Sequence, residues 1–248
     1  MNGLNAHLRE SYVEKALQEL SKRWNVEPSV YDLHLGKRDD VKDTVIQVNH
    51  VVFHIPFLER DALYLLWKCL WPDCHNCCEH QASLPLTKDD IIHISSKLGY
   101  SRASDFVKND AIISTREDDS MRGLITTITM LSLKRKDHED ESDTGLPCRC
   151  RFLSESGSCS LHPDKPGVCW LYPFSSWIQI NSGRPQIHAS FQLTGDCPGF
   201  YTSRNIESIK EVLENYSKII FDYNMSMIRT TRESFGTSNW IESESANL

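Results

Sequence analysis

With 248 residues, 40% of them apolar and 25% charged, the chain has an ordinary globular composition and suits one sizeable domain with attachments or two small ones. A net charge of -7 argues against a nucleic-acid partner, which needs a basic face. Met1–His7 has no basic segment leading into an apolar run, and no apolar run approaches the ~20 residues that span a bilayer. No secretory signal and no membrane partner are therefore expected, and the chain reads as cytoplasmic.

In chain order, Leu4–Trp24 predicts an amphipathic helix, with Val13, Leu17, Leu20 and Trp24 at helical spacing. Glu27–Thr44 is polar, contains Pro28 and Gly36, and reads as a loop. Val45–Pro56 is β-rich and partly alternating, which predicts one strand, straight or bent. Phe57–Leu70 reads as a helix that delivers Cys69 to the segment after it. Leu86-Thr87-Lys88-Asp89-Asp90 resembles a capping box ahead of Ile91, Ile92, Ile94 and Leu98, with Gly99 as the stop. A short helix is expected over Arg102–Lys108 and a strand over Leu124–Leu133. The charged stretch Lys134–Gly145 reads as a surface loop. Phe174–Ile180 and Gln186–Phe191 flank Asn181–Pro185 as a hairpin.

Ile206, Ile209, Leu213, Tyr216, Ile220, Tyr223 and Met227 alternate three and four residues apart, the seam of a helix of about thirty residues. That seam is expected to lie across its own domain. A protein partner or a homo-oligomer formed through the C-terminal helix is the other use for it. The tail from Phe235 to Leu248 is polar and reads as frayed.

The cysteines stand apart from this pattern. Four of the nine fall within ten residues, Cys69, Cys74, Cys77 and Cys78, and none follows until Cys148. Cys148, Cys150, Cys159, Cys169 and Cys197 form a second group. In a reducing compartment such spacings point to metal ligation rather than disulfides, and the odd count disfavours full pairing. Two dense clusters around a cysteine-free body suggest two loops meeting at a metal centre. The C-x-x-C of Cys74 and Cys77 lets two thiolates from one turn converge on an ion. Adjacent Cys77 and Cys78 diverge, so they serve two sites, or one belongs to a multinuclear cluster and the other does something else.

The order of these residues resembles the YkgJ-type cysteine-cluster family, the CxxCxxCC zinc- or iron-chelating domain also labelled flagellin N-methylase-like. The resemblance runs from Cys69 to Gly199. It is carried by Cys74/Cys77-Cys78, Leu86–Asp90, Cys150-Arg-Phe152-Leu153, Gly157-Ser-Cys159, Lys165-Pro166, Cys169–Phe174 and Cys197-Pro-Gly199. The family's first cysteine would fall at Trp71, so two residues are inserted after Cys69. Lys165 stands where the family has Arg, and so does Trp170.

The thiols assigned to metal are Cys69, Cys74, Cys77, Cys78, Cys150, Cys159, Cys169 and Cys197, leaving Cys148 over. Eight thiolates make two tetrahedral zinc sites, or hold a 4Fe-4S iron–sulfur cluster with thiols to spare. His75, His80 and His162 lie beside the ligands and are expected to be loop histidines, His162 having the best chelating spacing, to Cys159.

Two functions follow. One is a metal-binding domain whose ion ties loop-rich backbone together. The other is an iron–sulfur enzyme, an oxidoreductase or a protein-lysine methyl transferase using S-adenosylmethionine, as the family label implies. No regular βα alternation, Gly-x-Gly turn or P-loop accompanies the cysteines, so methyl transfer rests on the label alone. Asp89-Asp90 and Asp118-Asp119 read as a cap and a solvated turn rather than as catalytic pairs.

The expected fold is α+β: a small, loop-rich, metal-centred domain with short strands and a hairpin, flanked by an N-terminal and a long C-terminal helix. The expected segments are an N-terminal helical extension over 1–44, the cysteine-cluster domain over 45–200, and the C-terminal helix with its tail over 201–248.

Overall fold

The computed structural model describes residues 3–80, 84–121, 124–134, 149–181 and 184–235. In chain order, helices α1 (Gly3–Arg23) and α2 (Pro28–His34) precede strands β1 (Val41–Val48), β2 (Val51–Leu58) and β3 (Leu63–Trp67). Then come α3 (Asn76–Glu79), α4 (Lys88–Lys97), α5 (Ala103–Asp110), β4 (Ala111–Met121) and β5 (Leu124–Leu133). After α6 (Gly167–Leu171) follow β6 (Phe174–Asn181), β7 (Arg184–Phe191) and β8 (Phe200–Ser203). A 3-10 turn, Ile206–Ile209, opens the long α7 (Lys210–Phe235). The class is α+β, as expected.

The chain forms two units. The first takes the chain up to Cys77 and again from Leu171 to Asp222, and the second runs from Cys78 to Trp170 and resumes at Tyr223.

In the first unit a sheet runs in the order β6-β7-β2-β3-β8, with β1 also on β2. β2 is its centre: Val51, Val52, Phe53, Ile55 and Leu58 are buried, and it pairs antiparallel with β1 and β3 and parallel with β7. Phe174 packs edge-on to Phe53 and stacks on Phe191. The first half of α7 adds Leu213 and Ile220, both buried, and Tyr216, whose ring lies 4.9 Å from that of Phe174. α1 buries Leu17 and Leu20, as its spacing predicts. Gly195, at φ +80°, allows the approach: a Cβ there would lie 3.0 Å from the Val13 carbonyl oxygen.

Three expectations in this unit are corrected. The loop expected over Glu27–Thr44 contains α2, which Pro28 opens at a position where its missing N–H costs nothing. Glu27 gives that helix no side-chain cap because its carboxylate accepts from the Thr202 backbone and hydroxyl instead. The single strand expected over Val45–Pro56 is two strands, with Val48 opposite Val51 and a two-residue turn at Asn49-His50. Asn49 takes φ +52°, a conformation open to asparagine more than to most residues. The helix expected over Phe57–Leu70 is the end of β2, a turn, and β3. Leu65, Leu66 and Trp67 are buried consecutively, and such a run has no periodicity that separates strand from helix. The turn is braced by Asp40, which accepts from the Arg60 N–H and pairs with Arg38.

In the second unit, β4 and β5 pair antiparallel with Ala111 opposite Leu133. Its core joins Leu84, Leu86, Ile91, Ile94, Phe106, Leu131, Leu133 and Leu161. The capping box forms as expected: the Asp90 N–H donates to Thr87 Oγ1 and the Thr87 N–H to Asp90 Oδ2. Gly99 follows α4 at φ +77°, and α5 covers the expected short helix. β4 was not foreseen; Asp118-Asp119, read as a solvated turn, falls within it. The expected loop over Lys134–Gly145 lies outside the described residues from 135 on, as do Cys148 and the tail beyond Phe235.

Candidate metal centre

Eight of the nine cysteines are described, and they divide four and four between the units: Cys69, Cys74, Cys77 and Cys197 in the first, Cys78, Cys150, Cys159 and Cys169 in the second. Each unit thus draws on both sequence clusters, and the division falls between the adjacent Cys77 and Cys78.

In the first unit, β3 ends at Trp67, and the Lys68 N–H donates to the Gly199 carbonyl at 3.0 Å. This brings Cys69 beside the segment that carries Cys197. The Cys74 N–H closes a turn on the Leu70 carbonyl at 3.2 Å. Asn76 ties that turn to the same segment, its Nδ2 donating to the Asp196 carbonyl at 2.9 Å.

Cys197 is partly buried, as is Cys74, whereas Cys69 and Cys77 are exposed. Trp67 Nε1–H donates to Cys197 Sγ at 3.3 Å. Burial pushes the thiol up to about 11, against the pull of hydrogen bonds from Trp67 and the Gly199 backbone, while the nearby Tyr172 hydroxyl donates to Asp196 Oδ1 at 3.1 Å. Tyr216 lies within electrostatic reach of Cys69, Cys77 and Cys197, which add to burial in raising its hydroxyl. Gly199 explains the late Cys-Pro-Gly. A Cβ there would stand 2.2 Å from the Lys68 carbonyl oxygen and 2.9 Å from Trp67 Nε1.

In the second unit, the Cys150 N–H donates to the Cys78 carbonyl at 2.7 Å, so the two cysteine segments meet at the backbone. Burial, then the nearby Cys78 and Cys159, push the Cys150 thiol up to about 11. Arg151 anchors this loop through Asp110 at 2.7 Å, and Asp110 also accepts from Tyr100. A bridge between Leu153 and Cys159 closes the loop on itself. The Gly167 N–H donates to Asp90 Oδ1 at 2.8 Å, hanging the Cys169 segment on the capping box of α4. Cys159 and Cys169 pack against the core of this unit.

Of the neighbouring histidines, His75 is half-buried and His80 is exposed. His162 is exposed beside Trp170, and its N–H turns back to the Cys159 carbonyl. Among the described residues no group of three or more His, Cys, Asp or Glu side chains is drawn close enough to hold an ion as placed. The donors are nevertheless of one kind, sulfur, with N–H groups directed at Cys150 and Cys197, the chemistry that suits zinc or iron.

Trp67, Tyr172 and Gly199 escaped sequence reasoning as site residues. Gly199 had a signal in its place after Cys197; Trp67 and Tyr172, far from Cys197 or set on another element, had none.

Segments between short strands and helices carry four described cysteines in each unit, the pattern of a cysteine-cluster protein. The family model CxxCxxCC, described as "Putative zinc- or iron-chelating domain", matches residues 68–198, and the chain belongs to that family. No curated protein and no solved structure matches the chain. Among the described residues, no helix is long and apolar enough to cross a membrane.

Proposed function

We propose that this protein binds metal through two four-thiolate sets, Cys69/Cys74/Cys77/Cys197 and Cys78/Cys150/Cys159/Cys169, each holding a zinc ion or an iron–sulfur cluster. The observation that carries this reading is the four-and-four division, which falls between two adjacent cysteines whose side chains cannot readily chelate one ion. Four sulfurs close a tetrahedral site, and closed sites serve structure rather than catalysis. The ion would draw each set of sulfurs together and add to the hydrogen bonds that already tie these loops. Because the partly buried thiols Cys150 and Cys197 are protonated near neutrality, metal entry would release protons.

Metal analysis of protein purified with and without oxygen, together with a visible spectrum and an acid-labile sulfide assay, tests the reading. Stoichiometric zinc in a colourless protein supports the zinc form, and a brown, oxygen-sensitive, sulfide-bearing protein supports the cluster form. Protein free of both metals from either preparation would refute it.

A further inference from the structure

We propose that His54 and His188 form an acid-released latch across the seam that joins the two chain segments of the first unit. The latch does not depend on metal binding.

The seam is the pairing of β2 with β7, the one parallel ladder among the described strands. Its register sets Val52 opposite His188 and His54 opposite Ser190. Side chains alternate faces along a strand, so His54 and His188 share the face turned away from Phe53. His54 Nε2 meets His188 Nδ1 at 2.9 Å, and the two rings stack with centroids 5.2 Å apart. Trp177, opposite His188 on β6, stacks on both, at 5.4 Å from His54 and 5.6 Å from His188. One hydrogen bond and three stacked rings thus bolt β2, β7 and β6 together.

Such a bond lasts only while one of the two facing nitrogens lacks a proton. The first added proton has a place. His54 becomes imidazolium, its Nε2–H donates to His188 Nδ1, and its Nδ1–H faces Asp43 Oδ2 at 3.7 Å. The second has none. It would set N–H against N–H and charge a ring that is 6% exposed, whose Nε2 has no hydrogen-bond partner among the described residues. Burial, and then the charge of His54, hold the His188 imidazole below its ordinary 6.5. Arg184 shares this face of β7 and is a further cation, about 13 Å along the strand. β6 carries no ionisable side chain. Once the strands part, His188 regains its ordinary affinity and binds the proton more readily than in the closed latch. The latch is therefore at full strength above 6.5 and weakens as pH falls below it.

Hydrogen–deuterium exchange of the full chain, followed from about pH 7.5 to about pH 5 and corrected for the chemical exchange rate, tests this. Protection over Val51–His54 and Ile187–Ser190 should fall by up to about tenfold per pH unit below 6.5, the limit for one proton, and that of the β3–β8 ladder by less. His188→Asn and His54→Gln keep a hydrogen-bonding atom at the bonded position and take up no proton, so each should remove the extra loss. If the β2–β7 and β3–β8 ladders lose protection in parallel, or if the variants keep the extra loss, the latch is overturned. Should either variant fail to fold, imidazole nitrogen NMR of the unaltered chain decides. A His188 ring that stays neutral while the strands are paired supports the latch, and a doubly protonated one in an intact ladder overturns it.

Discussion

Trp67 donates its indole Nε1–H to Cys197 Sγ across 3.3 Å, linking residues 130 positions apart. The bond fixes a sulfur at the end of a sheet strand, where no cysteine spacing would have put it. Groups that donate to a ligand atom orient it and tune its basicity, and their loss commonly lowers metal affinity about 10–100-fold. Trp67→Phe keeps the buried ring and removes the N–H. It should weaken metal binding by the first set by that factor while the second set keeps its affinity, as measured by chelator competition. Equal weakening of both sets would count against this role.

Gly199→Ala tests the close approach beside Cys197. The new methyl would meet the Lys68 carbonyl oxygen at 2.2 Å, a backbone atom that cannot rotate away. Overpacking of this kind costs about 1–3 kcal/mol. The variant should fall at the upper end in chemical denaturation, because the Lys68–Gly199 hydrogen bond must shift with it. A loss near zero would mean that the segment has slack.

Asp90 has three duties: it completes the α4 capping box, accepts from the Thr87 hydroxyl and accepts the Gly167 N–H. Hydrogen bonds to a charged group contribute about 1.5–3 kcal/mol each. Asp90→Ala should therefore destabilise the protein by about 3 kcal/mol and expose Cys169 to alkylation sooner. Unchanged labelling at Cys169 would separate the cap from the metal segment.

The expected elements that held were those with a strong local signature. The α7 seam places Ile209, Leu213 and Ile220 in buried positions, and the β6–β7 hairpin and the Thr87 cap announce themselves within a few residues. Those that failed depend on partners far away in the chain. β3 is a strand because β8 pairs with it and because Leu65, Leu66 and Trp67 are all enclosed, neither of which a run of apolar letters reveals. The Asn49 turn lacks the glycine that usually marks a two-residue hairpin. At the site, spacing pointed to the sulfurs but not to their division, since that depends on the fold taking Cys78 with Cys150 and returning Cys197 to Cys69.

His34 makes stability depend on pH. It is buried beside Phe200, and burial pushes its imidazole from the ordinary 6.5 down to about 4, opposed by a hydrogen bond with the Leu193 backbone. The unfolded chain takes up a proton first as pH falls, so stability is full above 6.5 and is lost progressively down to about 4. At 1.36 kcal/mol per pKa unit the loss is roughly 3 kcal/mol. His34→Leu should flatten this part of the denaturation profile. A variant with the same slope would assign the loss to other groups.

The most direct test of the account is native mass spectrometry of Cys77→Ser beside Cys78→Ser and the double variant, purified without oxygen. If the adjacent cysteines serve separate sets, each single variant should carry one metal centre fewer than the unaltered protein, and the double variant should lose both. If the double variant loses no more than either single one, the two sulfurs share a centre and the division into two sets is wrong.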